Sequence, residues 1–448
     1  MTPVARRDVL SWSAAMAAGF ASGGCDLGAA EDTPVFPPMP VPIVASSGGG
    51  AEGESAAPRR RPSLPGGLEV RGTRFFRGGR VFFMNGMNHW AAPTLARTDN
   101  PAGWDRVRRD LDQLQTIGVN VLRVMASTEG PDAERHRIVP TIQPEPRGYD
   151  AVGVEGILRL ADEMRRRDLH GIFVLNNFWR WSGGMAQYLA WAKGESIPWY
   201  DWGRYAGGFY GNAAARELSY AYVRVLVPLL RSNPAVIWEL ANEPRYGPSY
   251  AAWLREGAAL VKSLAPAQLL TTGSEGDTAG LGVIDEHRIE SIDFATYHMW
   301  AENWGWVSPA TLAADFDGAV AKAQAYMGRH ALLAAQLGKP IILEEFGFPR
   351  DGGRYDPAST SALRDRYFAA VYRMMRTLCE EGPTAGILPW AWAGEVRPPR
   401  PGAQWAKDDP LTGDPPHEPQ GWYSIYDRDS TVAVLRECGA ELLALTKA

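Results

Sequence analysis

Eight short apolar runs, separated by longer amphipathic ones, predict an α/β protein built as a closed (β/α)8 barrel of the TIM type. Two further observations support it. About 380 residues for eight strand-helix units suit a closed barrel better than an open doubly wound sheet. No G-x-G-x-x-G follows a strand, which removes the usual dinucleotide signature of the open fold, and no Walker-type phosphate loop is present. The composition, 45% hydrophobic and 22% charged in 448 residues, can fill a core of that size.

The elements follow in chain order. Residues 1–25 are expected to be an export signal: Arg6-Arg7-Asp8-Val9-Leu10, a weakly apolar stretch from Trp12 to Ala21, then Ser22-Gly23-Gly24-Cys25. The arginine pair is twin-arginine-like. Cys25 after two glycines resembles a bacterial lipoprotein cleavage site, although Ser22 stands where a leucine is usual. Export to the periplasm, cell surface or medium is the expectation, with a lipid on Cys25 as a candidate membrane anchor. The bland alternative is a tail whose arginines carry no signal. No apolar run reaches the roughly 18 to 20 residues that a spanning helix needs. Residues 26–67 are Pro, Gly, Ala and Ser with hardly an aromatic, the composition of a disordered linker.

Residues 68–448 form the barrel domain. Leu68-Glu69-Val70 and Arg74-Phe75-Phe76 flank turn residues and read as a short β-hairpin. The expected barrel strands are Val81 to Gly86, Val119 to Met125, Gly171 to Asn176, Ala235 to Ala241, Leu269 to Thr272, Ile292 to His298, Pro340 to Glu345 and Ala385 to Trp390. Helices are expected between them: Trp104 to Ile117 with Val107, Leu111 and Leu114 on one stripe, Ile157 to Arg167 with Leu158, Leu160 and Met164, and Ala221 to Leu230, kinked near its end by Pro228. Asn177 to Asn212 is long for a strand-to-helix loop, a length that usually signals function.

Charge and cysteine usage exclude other classes. With 46 basic and 51 acidic residues the net charge is −5, which lacks the footprint of a nucleic-acid binder. Cys25, Cys379 and Cys438 have no metal-like spacing and allow at most one internal disulfide. The seven histidines show no H-E-x-x-H or other ligand spacing, so no catalytic metal is expected. A monomer is expected.

Barrel active sites lie at the C-terminal ends of the strands. Polar residues there are Asn85, Asn88, Arg123, Asn176, Asn177, Asn242, Glu243, His298 and Glu345, with Trp390 on the eighth strand. Glu243 and Glu345 follow apolar runs on the fourth and seventh strands, placing two carboxylates where both can flank one bond. A separation of about 5 to 5.5 Å suits retention and roughly 6.5 to 9.5 Å inversion. One isolated Glu would more often cap a helix or pair with an arginine such as Arg245; two at matching strand ends, with Asn242 beside the first, favour chemistry. Glu239 is expected to be a structural ion-pair member, and Glu344 to face the helices, because side chains alternate along a strand. Many of the 17 tryptophans, among them Trp90, Trp179, Trp181, Trp199, Trp300, Trp304 and Trp390, fall at or just after strand ends, whereas Trp238 and Trp253 read as core. An apolar face with a polar handle suits a sugar ring.

These residues carry a resemblance. Trp238-Glu239-Leu240-Ala241-Asn242-Glu243-Pro244-Arg245 and Ile342-Leu343-Glu344-Glu345-Phe346-Gly347 resemble the acid/base and nucleophile strands of glycoside hydrolase family five. The run from Asn176-Asn177-Phe178-Trp179-Arg180-Trp181 to Gln187-Tyr188 resembles the third-strand loop of its beta-mannanase subfamily. The resemblance spans about Val81 to Gly394. It implies retaining hydrolysis of beta-1,4-mannosidic bonds in mannans or manno-oligosaccharides, mannan endo-1,4-beta-mannosidase activity, and no cofactor. Glu243 matches the general acid/base, Glu345 the nucleophile, Asn242 the partner of the substrate 2-hydroxyl, Arg123 the support of the nucleophile, and His298 and Trp390 the sixth-strand histidine and eighth-strand floor. Asn88, Trp90, Asn177, Trp179, Trp181, Trp300 and Trp304 complete the expected substrate contacts. One departure stands out: the family commonly has His-x-Tyr on the sixth strand, whereas His298-Met299-Trp300 puts an indole there, able to donate through its N–H. The mechanism requires Glu345 ionised, held so by Arg123, and Glu243 protonated, favoured by burial and its negative neighbour. Alternatives are an exo-mannosidase, a transglycosylase or a glucanase of the same family, and a catalytically silent glycan-binding protein.

Overall fold

The computed structural model describes residues 63–447 apart from 199, 246 and 277–281. The export signal, Cys25, most of the linker and Trp199 lie outside the described residues. The elements below belong to one compact unit, Arg59–Ile197 with Trp202–Ala448.

Eight parallel strands form the barrel: β4 (Met84–Asn88), β5 (Val121–Met125), β6 (His170–Val174), β7 (Val236–Glu239), β8 (Leu270–Thr271), β9 (Ala295–Trp300), β10 (Ile341–Gly347) and β11 (Thr384–Ile387). Hydrogen-bonded pairing runs β8-β7-β6-β5-β4-β11-β10-β9. The remaining gap is bridged by Asp293 N donating to Leu270 O at 2.8 Å and Thr271 Oγ1 to Phe294 O at 3.0 Å. Eight expected strands therefore become eight staves.

Before them lies a small antiparallel sheet, β1 (Leu68–Arg71), β2 (Arg74–Arg77) and β3 (Arg80–Phe82), ordered β1-β2-β3. The expected hairpin gains a third strand, because Val81 pairs with Phe76 and Phe82 with Phe75. Val81 and Phe82 thus leave the first barrel strand, which begins at Met84. The sheet plugs the bottom of the barrel: Leu68 and Phe75 join Met84, Val121, Ile172, Ile237, Phe294 and Ile342 in one buried cluster. Phe75 meets Phe294 edge to face at 5.2 Å. Burying such a ring contributes about 1.5 to 3 kcal/mol.

The helices start where side chains can satisfy their free N–H groups. Asn100 Oδ1 accepts from Gly103 N at 2.9 Å ahead of the helix Pro101–Thr116. Asp150 caps Ala151–Arg166 through Gly153 N at 3.1 Å, and Asn212 caps Ala213–Leu230 through Ala215 N at 2.9 Å. Pro228 lies within the last of these. The stretch from Asn177 to Asn212 is not an irregular loop: it folds two helices, Gly184–Lys193 and Trp202–Gly207. Cys379 and Cys438 are free thiols. Among the described residues no helix is long and apolar enough to cross a membrane.

Candidate active site

The inward layer of the lower barrel, Met84, Val121, Ile172, Ile237 and Ile342, is apolar. Two residues further along, alternation brings Arg123 on β5, Glu239 on β7 and Glu344 on β10 to the same side. On β10 the register slips: Leu343 pairs with Tyr297 and Glu345 with His298. This bulge places two residues of one strand against one step of the other and re-aims the second. Glu344 and Glu345 therefore both face the interior, at 0% and 2% exposure. The expectation that Glu344 faces the helices fails for that reason; its Oε2 lies 3.3 Å from His298 Nε2.

Glu243 arrives differently. Beyond β7 the chain keeps pairing, with Asn242 N donating to Asn176 O at 2.9 Å and Glu243 N to Gly273 O at 3.0 Å. Glu243 has φ +46°, a left-handed conformation that costs a non-glycine residue on the order of 1 to 3 kcal/mol and is typical of functional sites. Its hydrogen-bonded neighbour Gly273 has φ +78°, and a Cβ there would lie 2.0 Å from Ala241 O.

Arg123 ties the floor together. Its guanidinium donates to Glu239 through Nε at 2.7 Å and Nη2 at 2.6 Å. It also reaches Asn242 Oδ1 at 2.8 Å and Asn88 Oδ1 at 3.2 Å, and Nη1 donates to Glu345. Asn88 Nδ2 in turn holds Glu344 O at 2.8 Å. Asn177, fully buried, accepts from Asn242 Nδ2 at 3.1 Å and donates to Ser182 Oγ at 3.0 Å. That leaves one N–H of the Asn242 amide for a ligand. Glu239 is the ion-pair member that its position suggested.

His298 stands between the two candidate catalytic carboxylates, Nδ1 lying 2.8 Å from Glu243 Oε1 and 3.3 Å from Glu345 Oε2. Burial opposes its charge, but Glu345, Glu243 and Glu344 raise its proton affinity well above the ordinary imidazole range. Burial likewise raises Glu243, yet the His298 bond and charge, Arg245 and the Trp179 N–H outweigh it and bring the carboxyl down to about 2. Burial pushes Glu345 up to about 7 against the pull of His298 and Arg123. These directions run against the expected ones: with His298 as a third charged partner, Glu243 leans toward its ionised form and Glu345 toward its protonated form. One ligand atom from each of Glu243, His298 and Glu345 lies within 4.8 Å of the others; Glu345 already accepts from Arg123 and Glu243 from Trp179.

The aromatic residues divide. Trp179 Nε1 donates to Glu243 Oε2 at 2.5 Å, and Arg245 lies over its ring at 5.1 Å. Trp390 meets Trp300 edge on at 6.1 Å, and Trp300 packs against Tyr423 at 5.0 Å. Trp300 makes no hydrogen bond to Glu345 among the described residues. Trp90 and Trp181 are 3% and 2% exposed and meet edge to face at 5.7 Å, forming wall rather than open platform. Trp304 joins Trp306 and Tyr326, at 5.3 and 5.2 Å. Asn85 points to the outer layer, donating to Gly118 O at 2.9 Å, and Asn176 to Ser219 Oγ at 3.0 Å. Trp238 and Trp253 are core.

Sequence reasoning passed over two contributors, His417 and Glu418, and took a third, Arg245, only as a possible ion-pair partner. Arg245 bonds Glu275 at 2.8 Å and lies 4.0 Å from Glu243. His417 stacks on Trp181 at 6.2 Å and Trp179 at 6.0 Å. Glu418 follows it; burial first, then Asp414, Glu345 and Glu243, raise its proton affinity well above the ordinary carboxyl range. The signal was positional: the segment after the eighth strand must pass the mouth.

The chain is similar to known proteins. The model of the GH family 5 beta-mannosidase-like family matches residues 67–447. Mannan endo-1,4-beta-mannosidase 5 of Solanum lycopersicum is 28% identical over 355 residues, covering 72% of this chain and 79% of that protein. A glycoside hydrolase family 5 mannosidase from Rhizomucor miehei superposes with a TM-score of 0.80 at 31% identity, covering 86% of this chain and 99% of the other. A mutant of that enzyme is solved in complex with mannosyl-fructose. An endo-1,4-beta-D-mannanase from Thermotoga petrophila, at 21% identity and TM-score 0.61 over 80% of this chain and 99% of its own, shares the fold. The chain is a glycoside hydrolase belonging to the GH family 5 beta-mannosidase-like family.

Proposed function

We propose that the enzyme hydrolyses beta-1,4-mannosidic bonds in mannan or manno-oligosaccharides with retention of anomeric configuration. The observation that carries this is the approach of Glu243 and Glu345 to within 4.8 Å through their ligand atoms. That close approach favours double displacement, whose pairs stand about 5 to 5.5 Å apart, over inversion, whose pairs stand roughly 6.5 to 9.5 Å apart.

In the first step a Glu345 oxygen bonds to the anomeric carbon while the glycosidic C–O bond breaks, its electron pair going to the leaving oxygen. Glu243 protonates that oxygen. The proton is supplied across the 2.8 Å contact from His298 Nδ1 to Glu243 Oε1, which leaves His298 neutral and Glu345 ionised beside Arg123. In the second step Glu243 takes a proton from water, the water oxygen bonds to the anomeric carbon and the ester to Glu345 breaks. Trp390 supports the sugar, and the free Asn242 N–H suits its 2-hydroxyl. Export and anchoring through Cys25 remain proposals from the sequence; Cys25→Ser is expected to release the enzyme from membranes.

The test is the first-formed product of mannotriose hydrolysis, followed by proton NMR. The β-anomer is expected before mutarotation; the α-anomer first would overturn the proposal. Glu345→Ala and Glu243→Gln are each expected to lose nearly all turnover with the fold intact.

A further inference from the structure

His298 has a carboxyl group at each ring nitrogen. Nδ1 lies 2.8 Å from Glu243 Oε1, and Nε2 lies 3.3 Å from Glu344 Oε2. His298 and Glu344 are both 0% exposed, so these contacts decide where the imidazole keeps its protons. The slip in register between Leu343 and Glu345 turns the Glu344 side chain inward, and Asn88 Nδ2 holds its backbone O at 2.8 Å. Arg123 is engaged elsewhere. Its Nε and Nη2 donate to Glu239 at 2.7 and 2.6 Å, and its Nη1 donates to Glu345. Glu344 Oε1 stands 3.7 Å from Arg123 Nε and makes no hydrogen bond among the described residues. The hydrogen-bonding capacity of the Glu344 carboxyl is therefore directed at the histidine.

Which nitrogen of a neutral imidazole carries the proton is set by the bond that the other nitrogen makes. An acceptor at Nε2 keeps the proton there. Once Nδ1 has given its own proton away, the ring is then the Nε2–H tautomer, with the Nδ1 lone pair facing Glu243. The opposite tautomer, Nδ1–H donating to the Glu243 carboxylate, would retain the proton that the leaving oxygen needs. Burial opposes a charge on His298, but Glu345 and the bonds to Glu243 and Glu344 more than offset it, so the ring can hold protons on both nitrogens between turnovers.

We propose that Glu344 is a positioning residue that holds the Nε2 proton of His298, so that Nδ1 can hand one proton to Glu243 and recover one in each turnover. This rests on the double-displacement reading above. In the first step the Nδ1–H bond breaks, its electron pair stays on nitrogen, and the proton passes through Glu243 to the leaving oxygen. In the second, Glu243 takes a proton from the attacking water and Nδ1 recovers it, while Nε2–H stays intact. The aspartate of a Ser-His-Asp triad fixes its imidazole in the same manner. The test is Glu344→Gln, which keeps the shape of the side chain. Arg123 Nε, 3.7 Å from the Oε1 position, attracts the amide oxygen, which turns the NH2 toward Nε2 and favours the wrong tautomer. On phenyl beta-mannoside, whose leaving oxygen needs a proton, kcat/KM is expected to fall about 100- to 10,000-fold, the range for a general acid. On 2,4-dinitrophenyl beta-mannoside, whose leaving group departs as an anion, the loss is expected to be at least about tenfold smaller. Equal losses on the two substrates, or an unchanged kcat/KM on the phenyl mannoside, would overturn the proposal. A measurement on the unmutated enzyme stands beside it: nitrogen-15 NMR of histidine-labelled, fluoromannosyl-trapped enzyme, with the signal assigned by its absence in His298→Asn. A proton on Nε2 is expected; a neutral ring protonated on Nδ1 would overturn the proposal. A wild type that splits neither mannoside would overturn the underlying reading instead.

Discussion

Arg123→Gln removes the cation on which the floor of the site depends. Arg123 is 2% exposed and faces Glu239, Glu344 and Glu345. Breaking a buried ion pair by deleting one partner costs about 3 to 5 kcal/mol, because the other charge stays buried. Unfolding entropy of about 2.1 cal/mol/K per residue, over roughly 380 residues, is about 0.8 kcal/mol/K, so the melting temperature should fall by about 4 to 6 °C. Activity should shift as well. Losing a charge-assisted donor worth about 1.5 to 3 kcal/mol, at 1.36 kcal/mol per pKa unit, raises Glu345 by about one to two units from its starting point of about 7. A raised carboxyl is protonated, and so not nucleophilic, up to a higher pH. The acid limb of kcat/KM should therefore move upward by about one to two pH units. Differential scanning fluorimetry and a pH profile on an aryl mannoside measure both. Adding Glu239→Gln should restore part of the lost stability, by removing an uncompensated charge, without restoring the acid limb. An unmoved limb, or a double variant that loses stability by both full increments, would refute the reasoning.

Two other outcomes are expected. Gly184 has φ +55°, and a Cβ there would stand 2.1 Å from Asn177 O; Gly184→Ala should disturb the Asn177 support of Asn242 and lower kcat/KM at least about tenfold, checked by kinetics beside a thermal melt. Burial lowers His170 and His287 to about 4. The unfolded chain then takes up protons below about pH 6.5 that the fold refuses, so stability is full above that pH and declines toward pH 4, by about 2 kcal/mol per histidine at pH 5. Urea midpoints at pH 7 and pH 5 test this, and equal midpoints would contradict it.

The barrel was readable because each stave is a run of residues that must be buried, with amphipathic stripes between. Asn242-Glu243 and Glu345 were readable because charge directly after such a run has to be explained. Glu344 was misread because alternation holds only for an unbroken strand, and nothing in Leu343-Glu344-Glu345 announces the bulge against Tyr297 and His298. The pull of His298 on both carboxyls was not readable because it depends on a distance, not a spacing. His417 and Glu418 went unnoticed because residues 412–424 have no periodicity; their order comes from side chains such as Asp414 and Gln420 bonding the backbone around them.

The central claim, that Glu345 attacks the sugar and Glu344 beside it does not, is tested most directly by trapping. Incubation with 2-deoxy-2-fluoro-beta-mannosyl fluoride, peptic digestion and mass spectrometry should place one fluoromannosyl group on Glu345. A label on Glu344 or on Glu243, or hydrolysis that passes through no covalent adduct, would contradict it.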